Sequence, residues 1–190
     1  IKKIIEKKFS SSNFISKNKY FEIQIESDKI FDLIKELKEN SNLKFDQLID
    51  LTAIDYPSKE KRFEVVYLLL SMTNNKRITV KSAIKEEDTI ITITSIHKSA
   101  NWYERECYDL FGIQFSNHPD LRRIMTDYNF EGHPLRKDFP LTGHTEVRYS
   151  EDKKKVIYEP VKLDQEYREF DSQSPWEGTK YIKHDKREKK

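Results

Sequence analysis

Val65-Val66-Tyr67-Leu68-Leu69-Leu70 is the longest apolar run in the chain. A membrane-spanning helix needs roughly 18 or more such residues, so this run reads as a strand. Apolar side chains fall on both of its faces, which places the strand Arg62 to Ser71 near the middle of a sheet. Downstream, Asn74-Asn75 offers a tight turn into a second strand, Arg77 to Ile84, where Ile78, Val80 and Ile84 share one face. Upstream, Asp55-Tyr56-Pro57-Ser58 separates it from a strand at Leu48 to Ile54, since proline interrupts pairing. Further out, Tyr20 to Glu26 alternates apolar and polar residues, the pattern of a strand with one buried face. Ile30, Phe31, Leu33, Ile34 and Leu37 then form a helical stripe. Ser27 or Asp28 is expected to cap its start, and Asn40 to close its end in the left-handed conformation. Thr89 to Ile96 reads as extended.

A second helix begins near Asn101, with Glu104 three residues on in a capping-box pattern, and Gly112 stops it. Tyr103, Cys107, Leu110 and Phe111 share a face, and Arg105 and Asp109 are spaced as an i,i+4 ion pair. The expectation is an α+β, two-layer domain over residues 18–116, with a mixed, mostly antiparallel sheet and helices packed on it. Residues 1–17 precede it as an N-terminal segment.

Residues 117–182 read differently, because no helical stripe there exceeds two turns and only one hairpin is indicated, Glu146–Tyr149 with Lys155–Tyr158. The stretch is nonetheless rich in aromatics: Tyr128, Phe130, Phe139, Tyr149, Tyr158, Tyr167, Phe170 and Trp176. Disordered segments are poor in such residues, so an extended tail that wraps a partner is expected. A cut after Thr126 should then leave a folded domain. Residues 183–190 form a charged terminus.

Charged and hydrophobic residues each make up 36% of the chain, and a net charge of +2 leaves no broad basic field for nucleic acid. The single cysteine, Cys107, excludes an internal disulfide and any four-thiolate cluster supplied by the chain itself. Its place on an apolar helical stripe reads as a packed thiol. Gly112, Gly132, Gly143 and Gly178 are too scattered for a phosphate-cradling loop. His97, His118, His133 and His144 lack metal-ligand spacing. No catalytic constellation emerges, and no catalytic, cofactor or metal residue is assigned. Arg122-Arg123, after a proline-bounded turn, reads either as a solvated charge pair or as interface anchors. Trp102 reads as a contact with another domain or another subunit.

The block Asn101-Trp102-Tyr103-Glu104-Arg105-Glu106-Cys107-Tyr108-Asp109-Leu110-Phe111-Gly112-Ile113, with Phe115 to Ile124 after it, resembles the signature of the thirty-kilodalton (NuoC-type) subunit family of respiratory complex I. The likeness continues through Gly132-His133-Pro134-Leu135-Arg136-Lys137-Asp138-Phe139-Pro140-Leu141, Glu146-Val147-Arg148-Tyr149, Tyr158-Glu159-Pro160 and Gln165 to Phe170, to Ser174-Pro175-Trp176-Glu177. Before the helix it is mainly Asp50 to Pro57. His144 and Cys107 depart from the residues common at those positions. The resemblance implies a non-catalytic subunit of the peripheral arm, with no cofactor and no membrane span. It implies a C-terminal extension that embraces the forty-nine-kilodalton (NuoD-type) subunit, beside other peripheral-arm subunits. Trp102, Arg122, Arg123, Arg136, Phe139, Arg148, Tyr149, Tyr167, Arg168, Phe170 and Trp176 are the expected partner contacts. The Glu146 to Trp176 tail resembles the mitochondrial and alpha-proteobacterial form, and the mitochondrial one, on the matrix side of the inner membrane, is the expectation. An equivalent subunit of a chloroplast or cyanobacterial NDH complex, or of a membrane-bound hydrogenase, is the alternative.

Overall fold

The computed structural model describes residues 1–10, 12–17, 20–163 and 165. They divide into two units, Ile1–Gly143 and His144–Lys190. The first carries helices α1 (Lys2–Lys8), α2 (Ile30–Glu39) and α3 (Ala100–Phe111) and strands β1 (Asn13–Lys17), β2 (Tyr20–Gln24), β3 (Gln47–Asp55), β4 (Phe63–Ser71), β5 (Lys76–Ile84), β6 (Thr89–Ile91) and β7 (Gln114–Ser116). The second carries β8 (Thr145–Ser150) and β9 (Lys155–Pro160).

Strands β1 to β5 form one sheet in the order β1-β2-β5-β4-β3. Every pairing is antiparallel except β2 with β5, which joins the N-terminal hairpin to the β3-β4-β5 meander. The α+β architecture expected from the periodicity is therefore the observed one. Strand β4 lies between β5 and β3 and buries Phe63, Val65, Tyr67 and Leu69 on one face. Ile30, Leu33, Ile34 and Leu37 of α2 join the same core as Cys107 and Phe111 of α3. In β3 the register shifts between Leu48 and Asp50, a bulge that turns Ile49 outward. Tyr103 Oη donates to the Ile49 carbonyl at 3.0 Å, so α3 grips the bulge.

The N-terminal segment, on which the sequence reading makes no structural assignment, contributes to the sheet and the core: Ile5 of α1 is fully buried, and β1 lengthens the sheet. Several local expectations are corrected. Ser27 and Asp28 do not cap α2; they open a 3-10 turn, Ser27–Lys29, that leads into it. Asn40 has φ −67°, not a left-handed value, because its side chain is engaged locally. Its Oδ1 accepts from Asn42 N–H at 3.0 Å and its Nδ2 donates to Glu36 at 2.7 Å. The left-handed residue is Lys44, φ 47°. Only Thr89–Ile91 of the extended segment pairs, in parallel with β7 in a separate two-stranded sheet. Gly112 does end α3, with φ 83° and its N–H on Tyr108 O.

Candidate functional site

Helix α3 is amphipathic in sequence, yet its polar side is buried as well: Glu104, Arg105 and Asp109 are all enclosed. The residues that cover them come from the loop after β7. Asp109 is the hub. Its Oδ2 accepts the backbone N–H groups of Ile124, Met125 and Thr126 at 3.0, 2.7 and 2.8 Å. Its Oδ1 accepts from Thr126 Oγ1 at 2.5 Å and from Arg123 Nη1 at 2.8 Å. Burial acts to raise the Asp109 pKa, but the Thr126 hydroxyl and the three backbone donors overcome it and hold the carboxyl well below the usual range. Arg105 does not pair with Asp109 as its spacing suggests. It reaches the carbonyls of Arg122 and Arg123, both at 3.1 Å. The capping box is absent too, because Glu104 points away from Asn101 and accepts from Ile93 N–H at 2.8 Å. Both local patterns yield to tertiary partners that lie more than ten residues away in sequence.

The loop is fastened further along. Arg123 Nη2 donates to Gly132 O at 3.1 Å, His133 Nδ1 lies 2.8 Å from Asp109 O, and Leu135 N–H donates to Leu110 O at 3.0 Å. A Cβ added to Gly112 would meet the His133 ring at 2.8 Å, so glycine there serves close approach as well as its positive φ. Next, Asp55 at the end of β3 receives Arg62 through two donors, at 2.8 and 3.0 Å, and Lys137 N–H at 2.7 Å. Arg62 also pairs with Glu86 and Asp138, each at 3.0 Å, and Arg136 bridges the same Glu86. Residues 117–143 thus belong with the first unit, and the division falls after Gly143 rather than after residue 116. A cut after Thr126 would remove Gly132, His133, Lys137 and Asp138 from these contacts, so it is not the cut that leaves this unit whole.

The expected contact residues therefore scatter. Arg123 and Arg136 are intramolecular clasps. Arg122 is exposed, paired with Asp120 at 2.9 Å and with Tyr128 Oη at 3.1 Å. Phe139 packs against Phe130 with ring centroids 5.7 Å apart. Trp102 is 64% exposed, with the Arg105 guanidinium 5.5 Å from its ring centroid. Tyr167, Arg168, Phe170 and Trp176, like residues 183–190, lie outside the described residues. The clasped loop also displays Met125, Tyr128 and Leu141 to solvent.

In the second unit, β8 and β9 form the expected hairpin. Its register sets Val147 opposite Tyr158 and Tyr149 opposite Val156, which gathers all four on one face. Each is more than half exposed. Arg148 and Glu159 form a two-point ion pair, at 2.7 and 3.1 Å, on the other face. Val147 and Val156 do not stand out among the aromatics of the sequence, although the alternation Val147-Arg148-Tyr149 carries the signal.

A family described as "Respiratory-chain NADH dehydrogenase, 30 Kd subunit" matches residues 23–145, the greater part of the chain. The chain belongs to this thirty-kilodalton subunit family. Among its relatives, the C subunit of NADH-quinone oxidoreductase from Ruegeria sp. (strain TM1040) is 58% identical over 160 residues, 84% of this chain and 80% of that protein. The corresponding protein of Jannaschia sp. (strain CCS1) is 60% identical over 149 residues, 78% of this chain and 72% of that protein. Both relatives are bacterial. A chain in the structure of the membrane-bound sulfane sulfur reductase, an archaeal respiratory membrane complex, matches with a TM-score of 0.66 and 25% identity, covering 90% of this chain and 95% of that one. The match to the thirty-kilodalton family spans the α3 hub and the clasped loop alike. Among the described residues no helix is long and apolar enough to cross a membrane, and no three His, Cys, Asp or Glu side chains gather in a way that could hold a metal.

The two arginines set side by side in sequence have opposite structural roles, which a stability measurement separates. Arg123→Ala removes the partner of a fully enclosed carboxylate and should destabilise the full-length chain by about 2–4 kcal/mol. Arg122→Ala, an exposed pair, should cost less than about 1 kcal/mol. Chemical denaturation of both variants beside the parent checks the order; equal losses would mean that Arg123 is no clasp.

Proposed function

We propose that the chain is a non-catalytic structural subunit of the peripheral arm of complex I. It holds the quinone-module subunits together for NADH-to-ubiquinone electron transfer. The observation that carries this reading is the β8–β9 hairpin, whose Val147, Tyr149, Val156 and Tyr158 share one exposed face. A lone two-stranded hairpin is marginal in water, and aromatic residues on an open face are the composition of interface anchors. The forty-nine-kilodalton (NuoD-type) subunit is the partner we assign to it, with other peripheral-arm subunits meeting Trp102, Arg122 and the displayed loop residues. Arg148, Tyr149, Tyr167, Arg168, Phe170 and Trp176 stand as contacts of the tail in this reading, while Arg123, Arg136 and Phe139 support the loop from within.

A mitochondrial, matrix-side position is supported by the resemblance of the tail, and by a composition poor in glycine and rich in Ile, Lys and Asn. The bacterial relatives favour the same subunit in a bacterial complex equally well. The archaeal structure keeps a second reading in play, an equivalent subunit in a related respiratory complex. Affinity purification of the tagged chain from its own cells tests all of these. The reading expects a large assembly that oxidises NADH with a quinone and contains a forty-nine-kilodalton-type subunit. An assembly without NADH oxidation would favour the second reading, and a chain recovered alone would defeat both.

A further inference from the structure

Glu104 is fully enclosed near the start of α3, between the turn that follows β6 and the loop that follows β7. One oxygen accepts Ile93 N–H at 2.8 Å; the other touches Thr92 Oγ1 and lies 3.8 Å from His118 Nε2. The hydrogen bonds of His118 define its tautomer. Asp120 N–H donates to Nδ1 at 3.0 Å, so Nδ1 offers its lone pair and Nε2 carries the hydrogen, which points to Asn101 O at 3.2 Å. The ring is therefore neutral. Burial holds its pKa below the ordinary value, and Arg105 acts in the same direction while Asp120 opposes it. The other groups facing Glu104 are Tyr67 on β4 and Cys107 one turn further along α3, each kept in its neutral form by burial. Tyr67 Oη has no hydrogen-bond partner among the described residues. None of these groups balances a negative charge.

The hydroxyls around Glu104 accommodate both the acid and the carboxylate, since Thr92 can give its hydrogen either to Thr94 or to Glu104. Thr92 Oγ1 lies 3.0 Å from Thr94 Oγ1 and contacts Glu104 on its other side. A hydroxyl has one hydrogen to donate. When Thr92 gives it to Thr94, the Glu104 contact is completed by the proton of Glu104 itself. Thr94 in turn lines an open cleft of about 490 Å³ beside Trp102 and Asn101, so the chain Glu104–Thr92–Thr94 links the enclosed carboxyl to solvent. Burial pushes that carboxyl up to about 7, against the pull of the Thr92 hydroxyl and Ile93 N–H.

We propose that Glu104 is a proton-operated joint: it holds a proton while the Thr92–Thr94 turn and the His118 loop are seated on α3, and releases it to water through Thr92 and Thr94 as the pH rises, loosening both. The folded state binds this proton more tightly than the unfolded chain, whose Glu titrates near 4.5. The stabilisation is therefore complete below that value and is lost as pH rises towards about 7, where the unfolding constant climbs by up to about tenfold per pH unit.

Two measurements on the full-length chain test the joint. In the first, the Glu104 side-chain carboxyl carbon is followed by NMR, with the resonance assigned by its loss in Glu104→Gln. A midpoint near neutrality is expected, and a midpoint in the ordinary carboxylate range overturns the proposal. It is read on the parent protein, with Glu104→Asp serving for assignment should Glu104→Gln fail to fold. In the second, amide exchange of Ile93 and Asp120 is compared with that of Val66 in β4 after correction for base catalysis. Selective acceleration at the two joint amides as pH rises from about 4.5 to about 7 is expected, levelling off above, and absent in Glu104→Gln. Unchanged ratios across the titration would show that the proton does not govern the packing.

Discussion

Asp109→Asn should lower the unfolding free energy of the full-length chain by about 3–5 kcal/mol, the cost of breaking an enclosed ion pair on one side. The parent carboxylate accepts three backbone N–H groups, the Thr126 hydroxyl and Arg123 at once, with its own side chain fully enclosed. An amide of the same shape turns an NH2 towards those donors and leaves Arg123 without its counter-charge. The effect should also be visible in the acid limb of the stability curve. Because the folded carboxyl titrates below its unfolded value of 3.8, its contribution is present above that pH and is lost as pH falls through the lower folded value. The variant should accordingly show a shallower acid limb than the parent. Denaturant titrations from neutral pH down to about pH 2 make the comparison. Parent-like unfolding in the variant would mean that the loop after β7 adds nothing to the first unit.

The same hub explains which parts of the fold the sequence can disclose. The sheet is legible because its signal is local: Val65 to Leu70 is apolar throughout, and Ile78, Val80 and Ile84 alternate with polar residues. The α3 helix is legible from its apolar stripe and Gly112. The loop over it is not, because it is held by polar contacts that have no period. Asp109 meets residues 14 to 17 positions downstream, and Asp55 meets Lys137 across 82 positions. A carboxylate in a helical sequence looks solvated unless its distant donors are known. For that reason the Asn101 and Glu104 spacing suggests a cap, whereas Glu104 serves the Thr92–Ile93 turn. Arg122 and Arg123 look alike in sequence, yet only Arg123 meets a buried acid. The hairpin face is partly legible: Tyr149 and Tyr158 stand out as aromatics, whereas Val147 and Val156 gain meaning only from the cross-strand register.

Truncation after Gly143 should separate folding from assembly. Strands β1 to β7 and helices α1 to α3 precede the cut, as do the Asp109 hub and the Asp55, Arg62 and Asp138 cluster. The shortened chain should keep the secondary structure and the cooperative unfolding of the first unit. What it loses is the open Val147, Tyr149, Val156 and Tyr158 face and the downstream residues Tyr167, Phe170 and Trp176. A few anchors of these types contribute on the order of 2 kcal/mol or more each at an interface, enough together to reduce incorporation by several orders of magnitude. Point variants should grade the effect. Tyr149→Ser with Tyr158→Ser should weaken incorporation far more than Lys153→Ala in the turn between the strands, where an exposed charge is screened.

The most direct test is native-gel electrophoresis of cells whose only copy of this subunit ends at Gly143, with NADH-oxidation staining in the gel and circular dichroism of the purified truncated chain. The account predicts a folded chain that is absent from the NADH-oxidising band. A folded chain that enters that band as well as the full-length protein does would contradict it.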